Sequence, residues 1–171
     1  MRLGYADPPY LGQCLRYGHR HDDGCWNRPE THLALLGRLV EEFPDGWALS
    51  CSSPSLRLLL PAAPPDVRVG AWVKPYFVFK PGVKPAYGWE PVLFRGGRTH
   101  RRGEQTTWPD WYMEGARIGS PILGGKPPGF CSWVLRLLGY EDDDELVDVF
   151  PGTGVMGLVA AQGVLSMEGV G

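Results

Sequence analysis

The sequence predicts an α/β fold built on a mostly parallel sheet, and three observations carry that reading. Short apolar runs of strand length recur at residues 2–6, 47–51, 67–73, 91–95 and 146–150. Segments with helical spacing of apolar residues lie between several of them, the alternation that gives parallel strands covered on both faces. The first and last runs end abruptly, at Asp7-Pro8-Pro9-Tyr10 and at Asp148-Val149-Phe150-Pro151-Gly152-Thr153-Gly154. Open α/β sheets place ligand chemistry at such carboxyl ends of strands.

With 171 residues, 43% hydrophobic and 21% charged, the chain is expected to form one domain, residues 1–171, with a sizeable core. Gly (24) and Pro (17) are frequent but aperiodic, which indicates many tight loops rather than a repeat. A formal net charge of -2 leaves no global basic signature, so contact with nucleic acid has to come from a local patch. The four cysteines, Cys14, Cys25, Cys51 and Cys131, form no Cys-x-x-Cys pair. With no signal region and no apolar run near the ~20 residues of a membrane helix, the expectation is a cytoplasmic protein with reduced thiols and no membrane contact.

In chain order, residues 2–6 form a strand that the two prolines stop, because they remove two backbone donors and forbid a helix. Residues 11–30, rich in Gly, His, Asp and Arg, form a surface loop. Thr31 is the expected N-cap of a helix to Phe43, with Leu33, Leu36, Leu39 and Val40 on one face. Pro44-Asp45-Gly46 ends it, and 47–51 is the second strand. Ser53-Pro54 opens a short helix that the cluster Pro61, Pro64 and Pro65 stops. The third and fourth strands follow at 67–73 and 91–95. Residues 108–125 are expected to be irregular. Phe130, Trp133, Val134 and Leu137 mark a helix over 128–138 with Gly139 as its C-terminal cap. The last strand then leads through the glycine turn into a short helix from Val155.

Gly152, Gly154 and Gly157 form Gly-x-Gly-x-x-Gly between a strand and a helix, which lets the backbone turn tightly and a ligand approach its amides. A nicotinamide dinucleotide would need an acidic residue ~20 positions on and more chain behind it. Only 17 residues follow Gly154, and Glu168 is the sole acidic candidate among them. A P-loop is excluded, since no Gly-Lys-Ser/Thr follows. Asp148 is a carboxylate at an apolar strand end and calls for a cationic partner.

Asp7-Pro8-Pro9-Tyr10 suits a different task. An exocyclic amine on adenine or cytosine is a poor nucleophile, because its lone pair is delocalised into the ring. Two acceptors, the Asp7 carboxylate and the Pro8 carbonyl, would draw that nitrogen toward a tetrahedral, more nucleophilic geometry. Tyr10 would stack on the base. A base in a duplex would have to be flipped out to arrive there.

The two motifs resemble those of the S-adenosylmethionine-dependent amino-methyltransferases of DNA. Asp7-Pro8-Pro9-Tyr10 is similar to the family's catalytic motif in the form more typical of adenine N6 than of cytosine N4 enzymes. Asp148-x-Phe150-x-Gly152-x-Gly154 is similar to its cofactor motif. The catalytic motif comes first, which resembles the circularly permuted group, and Lys126-Pro127 before a helix resembles that group's additional cofactor-side motif. The general look is of small phage-borne enzymes. The resemblance implies a Rossmann-like methyltransferase sheet, permuted and shortened, and S-adenosylmethionine as cofactor. It implies Asp148 near the methionine moiety, Phe150, Gly152 and Gly154 along the cofactor, and Lys126 and Pro127 closing that side. Asp7, Pro8, Pro9 and Tyr10 would hold the target base of DNA or, alternatively, RNA.

The family continues past the cofactor motif with two more strands, the first bearing an acid that binds the ribose. Glu168 is the residue here that matches it. Otherwise the adenosine side is open, or is covered by a second subunit in a homodimer or by a partner. No separate target-recognition domain is expected. Arg95, Arg98, His100, Arg101 and Arg102 form the strongest local basic cluster and are expected to grip phosphates, with Trp108 and Trp111 nearby to stack on bases. Cys14, His19, His21 and Cys25 have the residue types of a zinc site without a common spacing, so no metal is expected and a lid is the preferred reading. Three rivals remain: a cytosine-N4 or RNA amino-methyltransferase, a non-catalytic nucleic-acid-binding relative, and a nicotinamide-dependent oxidoreductase.

Overall fold

The structure, a computed structural model, describes residues 1–13, 25–76, 82–99, 108–115 and 125–163. Strand β1 (Arg2–Ala6) is buried from Leu3 onward because it lies inside the sheet, flanked in parallel by β2 (Gly46–Ser50) and β6 (Glu145–Asp148). Beyond β2 come β4 (Trp89–Gly96), β3 (Arg68–Val73) and β5 (Trp111–Met113), giving the order β5-β3-β4-β2-β1-β6. Only β4 runs against its neighbours, so the sheet is mostly parallel as the sequence predicts. It pairs antiparallel with β3, the strand before it in the chain, and the pairing extends to the Lys74 N–H bonded to the Gly88 carbonyl at 2.8 Å.

Helices cover both faces. Helix α1 (Pro29–Glu42) turns His32, Leu35, Leu36 and Leu39 inward. With α2 (Leu56–Leu59) it packs on Ala6, Trp47, Leu49 and Leu93. Helix α3 (Pro128–Leu137) and α4 (Val155–Ala161) pack on the other face, where Phe130, Trp133, Val134 and Met156 meet Leu3, Tyr5, Trp72 and Phe94. Two close approaches hold the layers together. A Cβ on Gly4 would lie 2.5 Å from the Phe43 ring, so α1 ends directly against β1. The Glu114 carboxylate accepts from the Phe130 amide at 3.2 Å and so serves an N-terminal donor of α3.

Two local expectations change. Helix α1 begins at Pro29, not after Thr31: proline's fixed φ suits the first helical position, and the Thr31 amide already bonds to the Arg28 carbonyl at 3.2 Å. Residues 111–113, expected to be irregular, add the parallel edge strand β5. No helix of the described residues is long and apolar enough to cross a membrane.

Candidate functional site

Parallel pairing of β1 with β6 sets Tyr5 opposite Asp148, so the proline turn and the glycine turn emerge side by side at one sheet edge. The pairing continues one step further, through the Val149 amide to the Tyr5 carbonyl at 2.8 Å. The proline turn is closed by the Gln13 amide on the Tyr10 carbonyl at 2.8 Å, and Pro8 and Pro9 are buried beneath it. In the glycine turn, Gly152 (φ +48°) and Gly154 (φ +74°) take left-handed conformations that favour glycine. A Cβ at Gly154 would meet nothing within 4 Å, so backbone conformation, not crowding, calls for glycine there.

Both turns line one cavity of about 390 Å³. Asp7, Pro8, Pro9 and Tyr10 form one side of it, and Asp148, Phe150 and Gly152 the other. Gly154 caps α4 just behind that wall.

The Asp7 side is a charge cluster. The Lys126 ammonium is 3.2 Å from Asp7 Oδ1, donates to Glu90 Oε2 at 3.0 Å and to the Tyr10 hydroxyl at 2.8 Å. Tyr10 in turn donates to Glu90 Oε2 at 2.8 Å, and Lys74 pairs with Glu90 Oε1. Both ammonium groups lie over the Trp72 ring, at 4.5 Å for Lys74 and 5.1 Å for Lys126. Burial pushes Asp7 above the ordinary carboxylate range while Lys126 opposes it. Burial also acts on Glu90, but Lys126 and Lys74 overcome it and hold Glu90 at about 2. Burial opposes the charge on Lys126, yet its two carboxylates hold that charge more firmly than usual.

Asp148 is different. It is half-buried, takes one hydrogen bond from the Phe150 amide at 3.2 Å and has no cationic partner among the described residues. Burial raises it to about 6, partly offset by that amide and aided by the Asp7 charge. The cavity therefore carries two lysines against Asp7 and Glu90 at one side, and an uncompensated carboxylate at the other. Chemically, it offers paired acceptors on a rigid turn and a place for a cation.

Lys126 approaches Asp7, Glu90 and Tyr10 rather than the glycine turn. Pro127 is buried and caps α3, its carbonyl accepting from the Cys131 amide at 3.2 Å. Arg95 and Arg98 are not brought to the cavity. They follow β4 to the opposite sheet edge, where Arg95 sits across from Trp47. Arg95 is bonded to Asp66 at 2.8 and 2.9 Å. Arg98 is bonded to Asp144, whose side chain is fully buried and also receives the Met1 ammonium at 2.6 Å. Trp108 is covered by the Arg136 guanidinium at 3.9 Å, while Trp111 is exposed on β5. Arg101, Arg102, His100, Glu168, Cys14, His19 and His21 lie outside the described residues.

Glu90, Lys74 and Trp72 were not among the candidate residues read from the sequence. A signal for Glu90 exists in hindsight: it is a carboxylate inside the run Trp89-Glu90-Pro91-Val92-Leu93-Phe94, which needs a cation if buried.

The fold is shared with solved structures of M1.HpyAVI. The complex of M1.HpyAVI with SAM matches with a TM-score of 0.56 at 15% identity, covering 94% of this chain and 77% of that one. A second M1.HpyAVI structure matches with a TM-score of 0.58 at 13% identity, covering 95% and 75%. At such identities the likeness establishes the fold, a Rossmann-like methyltransferase sheet. No protein-family model and no curated protein matches the sequence.

Proposed function

We propose that this chain transfers a methyl group from S-adenosylmethionine to the N6 amino group of adenine in DNA. The observation that carries the reading is the convergence of Asp7-Pro8-Pro9-Tyr10 and the Asp148–Gly154 turn on one cavity. The similarity of the fold to M1.HpyAVI, solved with SAM, supports the cofactor.

The residues fit that cofactor by charge. S-adenosylmethionine carries a sulfonium, an ammonium and a carboxylate, a net charge of +1. Within the cavity lining, Lys74 and Lys126 cancel Asp7 and Glu90, and Asp148 leaves one negative charge. Asp148 would hold the ammonium, and the glycine turn with Phe150 would lie along the cofactor. A cavity of about 390 Å³ falls within the range of small-molecule sites, ~300–1,000 Å³. When bound, S-adenosylmethionine supplies a methyl carbon made electrophilic by the sulfonium.

The chain's own part is placement and proton handling. Asp7 and the Pro8 carbonyl accept the two hydrogens of the amine and draw its lone pair out of the ring. Tyr10, tied by its hydroxyl to Glu90 and Lys126, offers a fixed face for stacking. As the nitrogen gains a fourth bond it must shed a proton, and Asp7, already above the ordinary carboxylate range, is the adjacent acceptor. In this reading residues 1–171 form one catalytic unit in permuted order, with β6 as the sheet edge among the described residues.

The test is transfer of labelled methyl from S-adenosylmethionine to single- and double-stranded DNA and to RNA, with nucleoside analysis of the product. N6-methyladenine in DNA is expected from the wild type and not from Asp7→Asn. N4-methylcytosine, which the same acceptor pair fits, would change the base assignment. Labelled RNA would change the polymer. Activity retained in Asp7→Asn would overturn the catalytic assignment.

A further inference from the structure

We infer that Glu90 is a positioning residue that draws the Lys126 charge away from Asp7 and so keeps Asp7 a strong acceptor for the substrate amine. The inference deepens the methyl-transfer reading and rests on it for the identity of the amine.

Lys126 has three N–H donors and three oxygens around it. The Tyr10 hydroxyl is at 2.8 Å, Glu90 Oε2 at 3.0 Å and Asp7 Oδ1, the most distant, at 3.2 Å. Glu90 collects far more than Asp7 does: the Lys126 ammonium and the Tyr10 hydroxyl on one oxygen, and the Lys74 ammonium on the other. Trp72 lies under both lysines and fixes them from the side. The four charges sum to zero, but neutralisation is concentrated on Glu90. Without Glu90, Lys126 and Asp7 would close into a simple ion pair, and a carboxylate so neutralised is a weaker acceptor.

The remaining groups around Asp7 do not supply this effect. Tyr5 on β1, Cys51 after β2 and Cys131 on α3 are buried and kept neutral, the two thiols pushed up to about 12. Asp148 on β6 carries the same sign as Asp7. Asp7 stays above the ordinary carboxylate range even with an ammonium beside it, whereas Glu90 falls to about 2. That division matches the unequal contacts.

The experiment is a titration of the Asp7 carboxyl carbon by NMR in the ligand-free protein, for wild type, Glu90→Gln and Lys126→Met. Glu90→Gln should lower the Asp7 midpoint by about one pH unit, as the Glu90 charge that helps raise it is lost and Lys126 turns wholly to Asp7, and Lys126→Met should raise it by a similar amount. Turnover adds a second readout. Glu90→Gln should cut kcat roughly tenfold with the KM for cofactor within about twofold, and Glu90→Asp should restore part of the loss. An Asp7 midpoint that stays put or rises in Glu90→Gln overturns the inference. If Glu90→Gln does not fold, an unmoved midpoint in Lys126→Met overturns it. The titration needs no activity, so a wild type that methylates nothing would sink the methyl-transfer reading while leaving the role of Glu90 decided.

Discussion

Replacing Asp148 with Asn should stabilise the protein and weaken its cofactor binding, two effects of opposite sign from one charge. In the ligand-free protein burial raises Asp148 from 3.8 to about 6, with the Phe150 amide opposing and Asp7 adding to the rise. A carboxylate with a raised folded value binds more protons folded than unfolded between those two pH values, so stability falls as pH climbs through that window. Above about pH 6 the whole penalty is present. The interval from 3.8 to about 6 corresponds to about 3 kcal/mol. Because Asp148 is only half-buried, solvent screening reduces this to roughly 1–2 kcal/mol. Asn keeps the shape and removes the charge. At pH 7 the melting temperature of Asp148→Asn should exceed that of the wild type by about 3–6 °C for a chain of this size. Below pH 4 the wild type is protonated and the two proteins should melt together. Calorimetric titration with S-adenosylhomocysteine should show Asp148→Asn binding on the order of tenfold or more weakly, the loss of one charged hydrogen bond. Wild-type affinity should fall about tenfold from pH 7 to pH 5 as Asp148 protonates, and the variant's should stay flat. A variant that melts no higher at pH 7, or that binds as the wild type does with the same pH dependence, would refute the assignment of Asp148 as an unpartnered carboxylate awaiting a cation.

Other outcomes follow from the same geometry. Asp7→Asn should reduce methyl transfer by about two to three orders of magnitude while S-adenosylhomocysteine binding, followed by calorimetry, changes little. Gly154→Val forces a β-branched residue to φ +74° and should cost roughly 1–2 kcal/mol in a denaturant melt and abolish cofactor binding. Arg98→Ala strips a buried carboxylate of one of its two cations and should destabilise by about 3 kcal/mol, read by urea unfolding. The same variant should leave the salt dependence of DNA binding unchanged, because Arg98 is at the sheet edge away from the cavity.

The strands that matter most were legible because they are short apolar runs that end in residues that cannot continue a strand. Asp-Pro-Pro after Ala6 and the glycines after Phe150 locate the sheet edge without any tertiary information. Their adjacency was not legible, since nothing in either motif says that Tyr5 pairs with Asp148. Strand β5 escaped because three residues with an exposed, half-buried, exposed pattern carry too little periodicity. The charge cluster escaped for another reason: residues 7, 74, 90 and 126 share no spacing, and only the sheet and the loop before α3 bring them together. The basic stretch misled in the opposite direction. Arg95 and Arg98 look like a free patch in sequence, yet each is answered by a distant carboxylate, Asp66 or Asp144.

The reversed direction of β4 has a consequence for how this chain could be remodelled. Every other strand ends at the cavity edge of the sheet, but β4 begins there. The connection from Lys74 to Trp89 therefore leaves and returns at the rim, with Tyr76 and Tyr87 exposed at its two ends. A recognition loop grafted between those tyrosines would start and end on exposed residues at the cavity side of the sheet. Specificity could be exchanged at one short segment while the sheet and its two turns stayed as they are.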